Sequence, residues 1–105
     1  MEVLVRIKRL IAGRKYRFSE KALDELDRDG LVPQDAIESV LNAQTIAKSI
    51  KSTSPQQRRA REMLYVIESF SYTGQLIYTK GKIAREAGET VYYFFISAKA
   101  SHYHE

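Results

Sequence analysis

The tightest constraint on this chain is a change of period at Asn42. Ahead of it, apolar residues recur every three or four positions; after it, they recur every two. The first spacing is one stripe of an α-helix and the second is one face of a half-buried strand, so helices come first and a sheet follows. Neither a helical bundle nor a βαβ repeat fits that order. The expected fold class is α+β, with N-terminal helices packed on one face of an antiparallel sheet of about four strands, because neither layer has anything else to bury against.

The helices have readable ends. Val3, Leu4, Ile7, Leu10 and Ile11 make the first stripe, and Gly13 stops it. "KYRFS" is a brief extended piece. Ser19 is placed to accept a backbone N–H and start a second helix over "SEKALDELDRDG", which Gly30 ends in the left-handed conformation. Pro33 suits the first turn of "PQDAIESVLNA". Beyond it, "TIAKSIK" alternates, "STSPQQRRAR" reads as an exposed loop, and "EMLYVIESF" is apolar on both faces like a central strand. A hairpin at Thr73-Gly74 leads into "QLIYTKGKI", and a turn with Gly88 leads into "TVYYFFISAK".

At 105 residues the chain has the size of one domain, expected to span 1–105. It has no cysteine, so disulfides and thiolate metal sites are excluded, and no apolar run approaches the roughly 18 residues that cross a bilayer. The N-terminus is too interrupted by charge to be a signal-peptide core, so the expectation is a soluble cytoplasmic protein without a membrane partner. Charge is segregated. Residues 1–17 carry six Lys/Arg against one acid, 18–44 carry two against seven, and 45–61 carry five against none. Alternating blocks of this kind can assemble a surface for a polyanion, or can be solvated faces and nothing more.

Strand alternation puts Leu76, Tyr78, Lys80 and Lys82 on one face and Ile77, Thr79, Gly81 and Ile83 on the other. The second set suits the core. In the last strand Val91, Tyr93, Phe95, Ser97 and Lys99 share one face by the same rule, and Tyr92, Phe94, Ile96 and Ala98 the other; either set could meet the Tyr78 face. Lysine brings a point charge to phosphate, and tyrosine brings a stacking ring and a movable proton, which together make a surface for single-stranded RNA. The plainer reading is a soluble open sheet in which tyrosine is ordinary strand material. No Gly-rich phosphate loop, helical pair of histidine ligands or nucleophile elbow is present, and no metal or cofactor is expected. The carboxylates of "FSEKALDELD" read as a solvated helix face. His102 and His104 lie in a polar tail.

The order of elements, from "VRIKRLIAGRKYRFSEKALDELDRDGLVPQDAIESVL" to "YYFFISAK" and with "TGQLIYTK" between, resembles the RelE/ParE superfamily of bacterial toxins. The MqsR-like messenger-RNA interferases are the nearest in layout. The resemblance implies a sheet that binds mRNA, a cognate antitoxin, and metal-free cleavage in which the ribose 2′-oxygen attacks the adjacent phosphate. Carried onto this chain, it implies Lys48, Tyr78 and Lys99 as catalytic residues; the glutamine those enzymes carry in their second strand has no clear counterpart here. Tyr78 would be general base or acid, with its pKa drawn down from about 10 by neighbouring lysines. Lys48, Lys99 and Lys80 would stabilise the phosphorane, each contact worth about 2.7–4 kcal/mol by analogy with oxyanion donors. Lys80 and Lys82, with Arg58, Arg59 and Arg61 from the loop, would hold flanking phosphates. Two alternatives stand beside the endoribonuclease. One is a non-catalytic RNA- or protein-binding module of the same fold. The other is a homodimer or partner interface between the basic first helix and the acidic second.

Overall fold

The computed structural model describes residues 2–51, 62–88 and 90–101. Helix α1 (Val3–Ala12) buries Leu4, Ile7 and Ile11, and Lys8 donates to the carbonyl of Ala43 at the far end of α3 (Pro33–Asn42). Between them, α2 (Glu20–Arg28) starts where expected: Ser19 Oγ accepts from the Ala22 N–H at 3.0 Å. Gly30 follows at φ +72°, a conformation that costs a residue with a Cβ. In α3, Pro33 stands in the first turn, and the Asp35 carboxylate accepts from the Val32 N–H at 2.9 Å.

The sheet has five strands, β1 (Tyr16–Phe18), β2 (Lys48–Lys51), β3 (Met63–Phe70), β4 (Leu76–Arg85) and β5 (Val91–Ala100), in the order β1-β5-β4-β3-β2. Strands β2 to β5 form the expected antiparallel meander. The expected count of four and the wholly antiparallel pattern are corrected by β1, which pairs parallel to β5 with Tyr16 opposite Tyr93 and Phe18 opposite Phe95. Three residues carry one alternation, too little to register as a period. What makes "YRF" a strand is the free edge of β5 and the aromatic packing gained there: Phe18 stacks on Phe95 at 4.3 Å between centroids.

A second correction concerns the faces of β5. Strict alternation would put Phe95 and Lys99 on one side. Instead the β4–β5 register shifts, with Lys80 opposite Ser97 but Gly81 opposite Phe95, which leaves Ile96 as an extra residue. This β-bulge inverts the faces beyond it. Tyr93 and Phe95 point to the helices, whereas Lys99 pairs with Tyr78 on the other side.

The core lies between the helices and that first face. Ile7, Leu26, Val40, Ile67, Tyr93 and Phe95 are at most 1% exposed. Gly81 is part of the same fit, since a Cβ there would stand 2.6 Å from the Tyr93 ring. Helix α2 serves the sheet differently, along the edge of β5 that β1 is too short to cover. Ser19 donates to the Ile96 carbonyl, Glu25 accepts from the Ala98 N–H at 3.2 Å and Asp29 from the Ala100 N–H at 2.9 Å. Four residues of helix rise about 6 Å and two residues of strand about 6.6 Å, so carboxylates at that spacing match alternate N–H groups of an exposed edge. Among the described residues, no helix is long and apolar enough to cross a membrane.

Candidate functional site

The face opposite the helices is laid out in rows across the sheet. One row holds Glu68, Tyr78 and Lys99; the next holds Lys48, Val66, Lys80 and Ser97; a third contains Lys82, Phe94 and Arg17. Tyr78 is half-buried, stands outside the core cluster, and has the end of α2 beside it. The Lys99 ammonium sits 5.4 Å from the centre of its ring, a cation–π contact. Lys80 is half-buried one row along. Lys48 shares the face and is exposed, but stands two strands from β4, about 10 Å away at the usual strand spacing, so it does not touch the phenol in this state.

A cleft of about 370 Å³ opens between Tyr78, Lys99 and the end of α2, lined also by Glu25, Arg28 and Asp29. Here the reading of "FSEKALDELD" as a solvated face holds for Glu20, Asp24 and Asp27, which are exposed, and needs correction at Glu25. Glu25 keeps only 12% of its side chain exposed, because besides the Ala98 N–H it takes the Ser97 hydroxyl at 2.7 Å. Burial opposes its ionisation, but those two hydrogen bonds and the charges of Lys21 and Lys99 outweigh burial and hold its pKa below the usual carboxylate value. Across Tyr78 is Glu68, exposed, accepting from the Ser101 hydroxyl.

These carboxylates reverse the expected electrostatics of the phenol. Its pKa is raised above the ordinary value, by burial first and then by Glu68 and Glu25. Tyr78 is therefore protonated at neutral pH. The expectation from sequence counted lysines and missed the acids, one of which comes from a helix some fifty residues earlier. The i, i+4 spacing of Glu25 and Asp29 was the available signal.

Lys82 is committed to Glu62 at 2.9 Å and lies 5.9 Å from the Phe94 ring. Phe94 meets Tyr92 edge-on at 6.5 Å, and the Arg17 guanidinium stacks over Tyr92 at 4.8 Å. The sequence did not single out these rings, since only the bulge decides which face they share with the lysines. Arg58, Arg59 and Arg61, like His102 and His104, fall outside the described residues.

The fold and this face define a class: an α+β domain with an uncovered β-surface on which a phenol, ammonium groups and carboxylates meet. No family model, curated protein or solved structure matches the chain.

Proposed function

We propose that this protein is a cytoplasmic endoribonuclease that cleaves single-stranded mRNA without a metal ion, of the kind resembled by the RelE-like and MqsR-like toxins, and is restrained in the cell by a cognate antitoxin. The observation that carries the reading is the contact between Tyr78 and Lys99 on the uncovered face, with Lys80 in the adjoining row. A phosphodiester laid over that pair would meet a proton donor and two ammonium groups together.

In the proposed reaction the Glu68 carboxylate takes the proton of the ribose 2′-hydroxyl. The 2′-oxygen bonds to phosphorus, the bond from phosphorus to the 5′-oxygen breaks, and Tyr78 gives its proton to that departing oxygen. The products are a 2′,3′-cyclic phosphate and a 5′-hydroxyl. The raised pKa of Tyr78 keeps the phenol in the protonated form that the acid role requires and makes it a weaker acid, so the lysines beside it must stabilise the phenolate it leaves. Lys99 and Lys80 stabilise the charge gathering on the phosphoryl oxygens, and Lys48 reaches the same face from β2.

The same pKa supports a second reading, an RNA-binding module without nuclease activity, in which Tyr78 stacks on a base and Lys99 holds its phosphate. Incubating the purified protein with RNA in EDTA, followed by end-group analysis, separates the two. Cyclic phosphate ends that vanish with Tyr78→Phe establish the nuclease; binding without cleavage establishes the module.

A further inference from the structure

The β3–β4 ladder runs from Phe70 opposite Leu76 only as far as Tyr65 opposite Gly81. Beyond that point β4 stays with β5 to Arg85 opposite Val91, while β3 stays with β2 to Met63 opposite Lys51. The sheet therefore splits, and a cleft of about 620 Å³ opens between the separated strands, well inside the range of ligand sites. Among the described residues, its walls combine three cations, Arg6, Lys82 and Arg85, with one acid, Glu62, and with aromatic rings including Phe94.

We propose that this cleft is a nucleotide subsite, in which Phe94 stacks on a base further along the strand from the scissile phosphate and Lys82 takes that nucleotide's phosphate. The inference rests on the RNA reading above and names a second point of grip for the same strand. Two observations support it. First, Lys82 follows Tyr78 by four residues on the same face, about 13 Å along β4, so a single-stranded chain crossing Tyr78 and Lys99 runs on toward the Lys82–Phe94 row. Second, the Glu62 carboxylate already holds the Lys82 ammonium at 2.9 Å, with both side chains about three-quarters buried, and it occupies the place an incoming phosphate oxygen would take. A partner's peptide strand could pair with the open edge of β4, but an excess of cations beside a ring fits a nucleotide better.

The test is binding of fluorescent hexauridylate and diuridylate, followed by anisotropy in a Tyr78→Phe background that blocks cleavage. Phe94→Ala should weaken hexauridylate binding roughly tenfold and diuridylate binding much less; Phe94→Leu, which keeps apolar volume in case the alanine variant misfolds, should do the same. Glu62→Gln should tighten hexauridylate binding several-fold by releasing Lys82. If Lys80→Ala and Lys99→Ala weaken binding while the Phe94 and Glu62 variants leave it unchanged, the subsite is wrong and the RNA reading stands. If none of these variants changes binding, the RNA reading falls with it.

Discussion

Tyr78 and Lys99 face each other across the β4–β5 ladder, the ammonium 5.4 Å from the ring centre, only because Ile96 is an extra residue between them and the core half of β5. Removing Ile96 would take out that extra residue and let Phe95, Ser97, Ala98 and Lys99 alternate strictly, so Ala98 keeps the buried face and Lys99 the Tyr78 face. The deletion should therefore lower the melting temperature, because Ser19 loses the Ile96 carbonyl, but leave RNA binding largely intact. A folded deletion variant that no longer binds RNA would show that Lys99 does not keep its face when the extra residue is gone.

Tyr78 offers a titration with a defined sign. Burial, then Glu68 and Glu25, raise its pKa, so the neutral phenol persists through neutral pH and ionises only above the ordinary tyrosine value of about 10. Ultraviolet phenolate absorbance, as the difference between wild type and Tyr78→Phe, should show this late transition, and Glu68→Gln should bring its midpoint down. On the proposed reaction, Tyr78→Phe should also cut cleavage about a hundredfold or more, with RNA affinity nearly intact.

Much of this site could be read from the residue order, and the failures have identifiable causes. The helix starts at Ser19 and Pro33 and the facing of Tyr78, Lys80 and Lys82 were legible because each depends on a local rule, a cap or an alternation. β1 was missed because its only evidence is lateral, a free edge supplied by residues 93–95. The β5 faces were misassigned because a bulge leaves no mark in a pattern as uniformly apolar as "YYFFIS". The pKa of Tyr78 went the other way because burial and the carboxylates of Glu68 and Glu25 meet at the phenol through tertiary structure alone.

Glu25 ties stability to pH. Its folded pKa is depressed, so its contribution is present above the unfolded carboxylate value of about 4.3 and is lost as pH falls through the lower folded value. Glu25→Ala leaves the Ser97 hydroxyl and the Ala98 N–H without their acceptor and should cost about 1–3 kcal/mol at neutral pH. Urea unfolding should show that difference shrinking in strongly acidic buffer. A difference independent of pH would mean that packing, not the carboxylate charge, accounts for the loss.

Gly81 and Tyr93 give opposite expectations from one contact. The Tyr93 ring packs where a Cβ of residue 81 would stand, so Gly81→Ala forces the ring out of a fully buried position and should destabilise by about 1–3 kcal/mol. The Tyr93 hydroxyl, buried in the same place, has no hydrogen-bond partner among the described residues, and burial pushes its pKa well up. Removing an unpartnered buried hydroxyl relieves its desolvation, so Tyr93→Phe should be neutral or stabilising by up to about 1 kcal/mol. Thermal melts of the two variants check both signs. Since Gly81 lies between Lys80 and Lys82, the alanine variant should weaken RNA binding as well, whereas Tyr93→Phe, which alters only the covered face, should leave it unchanged.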